Sequence, residues 1–190
     1  ASRAEFLDLE TTLPLRPDRF LERMRRELPR GIRFLAVTDI ATRADSLSKV
    51  VNRVIYSARI PDSHVSYAVA SLNGGGEDRR SAENHEAALN RFLERPSIPY
   101  TRVRERKTKT VDLRPFLRGL SLDTGSELHL DLGMDNGRSA KPHEILEVLY
   151  GEGSHAVPVT RQEQLVMRGT KALSPLLAAG RGTGGTRDPR

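Results

Sequence analysis

Residues 127–132 read Glu-Leu-His-Leu-Asp-Leu, and this run decides the fold that the chain can adopt. Leucine alternates with a polar residue at a period of two, which places Leu128, Leu130 and Leu132 on one face of a strand. A strand with one apolar and one polar face is typical of an antiparallel sheet with one buried side. We therefore expect an antiparallel sheet whose apolar face is covered by helices.

Further strands and helices are predicted on either side of this run. A helix that Ser81 can cap ends before Pro96, and a second helix begins at Pro142 and ends at Gly151. The β-branched, aromatic and alternating segments predict further strands at 100–106, 108–113, 116–122 and 157–167. This second part of the chain therefore alternates strands and helices with a predominance of strands.

The first part of the chain predicts a β-α-β-β unit. Residues 5–12 alternate as a half-buried strand, and a helix begins at Pro17 and ends at Pro29. Residues 32–40 and 54–56 are rich in β-branched and aromatic residues, which favours two more strands. The first strand begins almost at Ala1, so we expect this unit to lack an upstream portion.

The chain divides at a glycine-rich segment. We predict a first half at 1–72, a flexible loop at 73–81, a second α+β half at 82–177 and a disordered tail at 178–190. The predicted fold class is α+β, with two ferredoxin-like halves that each carry a mostly antiparallel sheet and helices on one face.

The amino-acid composition excludes several classes of function for this chain. The 190 residues contain no cysteine, which excludes thiolate nucleophiles, iron–sulfur ligation and disulfides, and which fits a cytoplasmic location. No run approaches the roughly 18 apolar residues of a membrane span. The net charge of +6 favours an anionic partner such as nucleic acid, although many cytosolic domains are mildly basic without a functional reason.

The most basic stretch is 100–109, and strand alternation places four of its side chains on one face. A stripe of arginines next to an aromatic ring suits a phosphodiester backbone and a stacked base. The alternative is a solvated strand face, or one that protects a sheet edge from aggregation. The nucleic-acid-binding residues predicted here are Tyr100, Arg102, Arg104, Arg106, Lys107, Lys109 and Arg114.

A second basic group lies just ahead of the helix that begins at Pro142. Arg138 and Lys141 lie where free backbone N–H groups and the helix dipole favour an anion. They are therefore candidates for a phosphate contact, with an ordinary loop-to-helix connection as the alternative.

No catalytic constellation, metal site or cofactor motif is predicted. Residues 123–126 read Asp-Thr-Gly-Ser, as in pepsin-like proteases, but they separate two strand-length runs where a hairpin turn is expected. The zincin helix needs a second histidine four residues after the first, and positions 89 and 147 hold leucine and glutamate instead. The remaining histidines, His64, His129 and His155, are isolated in the sequence.

Three stretches, 5–10, 107–115 and 138–146, carry a family resemblance. In order and spacing they resemble the radical SAM-linked protein family, a bacterial family of unknown function, over roughly residues 1–167. The resemblance implies a companion domain of a radical SAM protein of the cobalamin-binding type, near ribosomal and RNA-processing functions. It implies no established activity, and family members begin upstream of residue 5.

A weaker likeness connects residues 28–34 and 55–60 with tRNA pseudouridine synthases of the first class. Tyr56 would match the tyrosine that faces their substrate. Their Arg-Thr-Asp-x-Gly motif is missing from this sequence, so catalysis cannot be carried over.

The sequence therefore favours a non-catalytic accessory module of a radical SAM protein that binds RNA or a ribosome-related substrate, with Tyr100 or Tyr56 stacking a base. One alternative is an RNA-modifying enzyme domain that is incomplete or degenerate. Another is a protein-interaction module whose basic strand meets an acidic partner. The oligomeric state stays open.

Overall fold

A computed structural model of the chain describes residues 2–3, 5–41, 44–73, 82–105, 107–123, 127–135 and 137–179. Only the backbone is described for residues 69–70, 72–73, 82–84 and 104. The chain forms two compact units, one of residues 1–5 and 52–164 and one of residues 6–51 and 165–190. The predicted loop at 73–81 lies outside the described residues except for Asn73.

The described chain contains both helices and strands, with β2 to β6 following one another without an α-helix between them. The helices are α1 (Pro17–Glu27), α2 (Leu47–Val50), α3 (Asp62–Asn73), α4 (Ala82–Leu93), α5 (Pro142–Tyr150) and α6 (Pro175–Ala179). The strands are β1 (Arg53–Arg59), β2 (Pro99–Arg104), β3 (Lys107–Asp112), β4 (Leu117–Leu122), β5 (Glu127–Asp135), β6 (Arg138–Ser139), β7 (Val159–Arg168) and β8 (Lys171–Leu173). Short 3₁₀ helices lie at Arg114–Phe116 and Ser154–Ala156.

The larger sheet is built around β5. Its strand order is β4-β5-β1-β7-β8, with β6 paired to β5, while β2 and β3 form a separate two-stranded sheet. Strand β5 is antiparallel to β4, β1 and β6, and Leu130 lies opposite Leu120 of β4 on one side and Tyr56 of β1 on the other. The α+β class with mostly antiparallel pairing is thus confirmed.

The core of the first unit lies on the leucine face of β5. Leu128, Leu130 and Leu132 are at most 1% exposed, and they belong to one apolar cluster with Phe92 of α4 and Leu146 of α5. Burying side chains of this size contributes about 1.5–3 kcal/mol each, so this face adds substantially to the stability of the unit. The alternation at 127–132 therefore predicted the buried face correctly.

The separate sheets predicted for the two halves are not what the structure contains. Strand β1, from the predicted first half, pairs with β5, from the second, over seven consecutive positions from Arg53 to Arg59. Val54 and Ala58 of β1 are buried, and Ala58 belongs to the same apolar cluster as the leucines of β5. The strands join because their apolar faces fill one core.

The second unit contains α1, α2, β8 and α6. Helix α1 begins at Pro17 as predicted, but residues 5–12 and 32–40 contain no strand although all of them are described. Alternation makes a strand possible, but a neighbouring strand must accept its backbone hydrogen bonds, and none pairs with these runs. Residues 178–179, predicted to belong to the tail, lie in α6.

Among the described residues, no helix combines the length and the apolar character that crossing a membrane would require.

Candidate nucleic-acid interface

Strands β2 and β3 form a hairpin, called here the basic hairpin (residues 99–112). In its antiparallel register Arg102 lies opposite Lys109 and Arg104 opposite Lys107. Directly opposed residues point to the same face of a sheet, so Tyr100, Arg102, Lys107 and Lys109 share one face. The register adds the two lysines of β3 to the stripe that the sequence predicted on β2.

On this face we call Tyr100 and Arg102 of β2 the inner part, and Lys107 and Lys109 of β3 the outer part. The inner part is anchored to α5. Arg102 donates from Nε to Oε1 of Glu144 and from Nη2 to Oε2, both at 2.7 Å, and from Nη2 to the Ser139 carbonyl at 3.0 Å. The Glu144 side chain is only 7% exposed. The bidentate pair with a buried carboxylate raises the pKa of Arg102. The guanidinium is therefore already bonded within the protein.

Tyr100 makes a parallel contact one turn further along α5. Its hydroxyl donates a 2.7 Å hydrogen bond to Oε2 of Glu147, and its ring packs against the apolar core. The bond to Glu147, with burial, raises the pKa of Tyr100 to about 12. The ring predicted to stack a base is thus held between the hairpin and α5.

The outer part of the face has a different environment. Lys107 and Lys109 are exposed, and so are Thr108 and Thr110 on the opposite face of β3. The turn residue Glu105 has a φ of 48°, a left-handed conformation that is uncommon outside glycine. The Arg104 side chain and the whole of Arg106 lie outside the described part of the chain.

Arg114 is also engaged within the fold. Its Nε donates to the Arg95 carbonyl at 3.0 Å and its Nη1 to the Leu117 carbonyl at 2.8 Å. Asp112 accepts from the Ile98 and Arg114 backbone N–H groups, and these bonds lower the pKa of its carboxyl. Arg114 therefore links the segment that follows the basic hairpin to the segment that precedes it.

The position at the start of α5 that was predicted to contact a phosphate is already occupied by a carboxylate of the protein. Glu144 Oε2 accepts the Lys141 backbone N–H at 2.9 Å, which satisfies the helix end with the protein's own anion. Arg138 is paired with Asp135 at 3.0 Å on the surface. A phosphate at this position would meet the negative charge of Glu144.

Tyr56 lies on β1, in the larger sheet, and so in a different sheet from Tyr100. The Arg161 guanidinium lies over its ring, 5.8 Å from the centroid. Arg161 also donates from Nη1 to both Glu5 carboxylate oxygens at 2.8 Å. Tyr56 is half-buried and packs against the apolar core, so the structure does not bring the two predicted stacking rings together in one sheet.

The histidines divide into core and surface groups. His85 is 4% exposed and shares a 2.8 Å hydrogen bond with the Tyr150 hydroxyl, and burial lowers its pKa. His129, isolated in the sequence, lies beside Asp123 and Glu127 at the end of the β4–β5 hairpin.

Sequence reasoning missed this grouping. The available signal was the hairpin that the sequence predicts, because antiparallel pairing of β4 with β5 brings Asp123 next to the first residues of β5.

The described chain is thus an α+β protein with a basic hairpin in which β2 is anchored to α5 and the lysines of β3 are exposed. The model of a family described as an uncharacterized protein conserved in bacteria (DUF2344) matches residues 1–142. Because the match covers well over half of the 190 residues, the chain belongs to this family. No curated protein and no solved structure matches the chain.

Proposed function

We propose that the chain is a non-catalytic RNA-binding module whose contact surface is the outer part of the basic hairpin. The observation that carries the proposal is the register of β2 and β3. It aligns Lys107 and Lys109 opposite two arginines of β2, with both lysines exposed. Cations spaced by two residues along a strand lie roughly 6.6 Å apart and can contact successive charges of a phosphate backbone.

The anchoring of the inner part supports this function. A binding surface needs a rigid platform, and here the Arg102–Glu144 and Tyr100–Glu147 contacts fix β2 to α5. Arg102 and Tyr100 therefore hold the surface in place, while the lysines of β3 contact the ligand. The net charge of +6 adds a long-range attraction for a polyanion.

The biological setting that we propose follows from the resemblance of residues 5–10, 107–115 and 138–146. As a companion of a cytoplasmic radical SAM protein of the cobalamin-binding type, the module would present an RNA or a ribosome-related substrate to that enzyme. The exposed lysines supply electrostatic contacts that are independent of base identity, so the enzyme would contribute the chemistry and the selection of the reacting position.

The test is the affinity of the purified chain for bulk tRNA across a salt series, with heparin as a polyanion control. The logarithm of affinity should fall with the logarithm of salt by about 0.7 for each single-strand phosphate contact. A Lys107→Ala/Lys109→Ala double variant should therefore reduce the slope by about 1.4. Heparin should compete with tRNA for this surface, because the lysine contacts do not depend on base identity.

A Lys49→Ala/Lys171→Ala double variant is the matched control, because it removes the same charge from two exposed lysines elsewhere. The control should keep the wild-type slope. If both double variants change the slope equally, the chain attracts RNA only through its net charge. A different outcome is that the Lys107/Lys109 variant keeps the wild-type slope while the complex of the chain with the radical SAM protein survives nuclease treatment. That pair of results would instead favour a protein-interaction module.

A further inference from the structure

At the end of the β4–β5 hairpin, three side chains converge that neither the proposed function nor the core uses. Asp123 follows the last residue of β4, and Glu127 and His129 lie two residues apart on β5. One ligand atom from each lies within 4.8 Å of the others. We call these three residues the acid–histidine cluster.

We propose that the acid–histidine cluster binds a divalent transition-metal ion such as Zn²⁺. One imidazole nitrogen and two carboxylate oxygens are ligand types that zinc sites in proteins use. Solvent would complete the coordination, because Asp123 is exposed and the other two side chains are half-buried.

Hydrogen bonds of the β4–β5 hairpin orient the side chains that would bind the metal. The Asp123 backbone N–H donates to the Glu127 carbonyl at 3.1 Å, and the Glu127 N–H donates to Asp123 Oδ1 at 2.8 Å. With Oδ1 held in the turn, Oδ2 faces His129. On β5, Glu127 and His129 share the face opposite to Leu128, which is fully buried.

The distances suit a shared cation better than a direct bond. His129 Nε2 and Asp123 Oδ2 are 3.9 Å apart, beyond the range of a hydrogen bond. Two ligands at about 2.0–2.2 Å from a tetrahedral zinc ion are separated by about 3.3–3.6 Å. A small rotation of these partly exposed side chains would bring the donors to that separation.

The charge balance also favours a cation. Glu127 and Asp123 place two carboxylates beside one imidazole, and Arg59 of β1 lies opposite Glu127. A divalent ion would offset the repulsion between the carboxylates and link the two strands of the hairpin.

The test uses the full chain without an affinity tag, titrated with Zn²⁺ by calorimetry and with Co²⁺ by visible absorption. We expect one equivalent of metal to bind. His129→Ala and Asp123→Asn should each weaken binding by at least about tenfold. The asparagine keeps an oxygen that can accept the Glu127 N–H, so this variant preserves the turn.

His155→Ala is the matched control, because His155 is exposed and lies outside the cluster. It should bind metal as the wild type does, and circular dichroism without metal should be the same for every variant. The proposal is overturned if the wild-type chain binds no metal. It is equally overturned if the cluster variants bind as tightly as wild type, or if His155→Ala loses as much affinity as they do.

Discussion

The inner and outer parts of the basic hairpin carry the same charge in two environments. Arg102 and Lys109 are cross-strand neighbours on one face. Arg102 is bonded through two nitrogens to a carboxylate that is 7% exposed, whereas Lys109 extends into solvent. Two cations that look equivalent in the sequence thus differ in environment: Arg102 is bonded within the fold, whereas Lys109 is exposed and belongs to the surface that we propose for binding.

The largest expected effect lies on the inner part. Arg102→Ala leaves Glu144 buried with one hydrogen-bond donor, Lys141, in place of three. Losing charge-assisted bonds of this kind should lower the free energy of unfolding by about 2 kcal/mol. Urea denaturation followed by circular dichroism measures the change.

Lys109→Ala is the control for that measurement, since it removes one positive charge from the opposite strand. An exposed lysine should change the free energy of unfolding by less than about 0.5 kcal/mol. Equal losses for the two variants would remove the distinction between the inner and outer parts.

A smaller and pH-dependent effect is expected at Tyr100. Tyr100→Phe loses the bond to Glu147 and should lower the free energy of unfolding by about 1 kcal/mol at neutral pH. The folded pKa of about 12 lies above the unfolded value of about 10. The folded state therefore keeps its proton longer, and this stabilisation is complete below about pH 10 and declines as pH rises through 12.

The measurement is urea denaturation of wild type and Tyr100→Phe at increasing alkaline pH. The difference between the two proteins should shrink above about pH 10. A difference that stays constant, or grows, across that range would contradict the Tyr100–Glu147 contact.

Much of the fold could be predicted from local patterns. The period of two at 127–132 identified the buried face of β5, and the prolines at 17 and 142 marked the first residues of α1 and α5. Helix α3 was not predicted, and it carries little amphipathic signal because it is apolar on more than one side. The strand patterns at 5–12 and 32–40 predicted strands that lack a pairing partner.

The candidate site was predictable only in part. Alternation correctly put Tyr100 and Arg102 on one face, and the register added the lysines of β3. What the sequence could not supply was that Glu144 and Glu147, more than forty residues away in sequence, face that stripe. The acid–histidine cluster could not be predicted for the same reason, because its residues come together only when the β4–β5 hairpin forms.

The most direct test of the central claim is a lysine-labelling footprint with and without tRNA. The account predicts that RNA protects Lys107 and Lys109 from an amine-reactive reagent while Lys49 and Lys171 react as before. Unchanged labelling at Lys107 and Lys109 in a complex that still contains RNA, or equal protection of all four lysines, would contradict it.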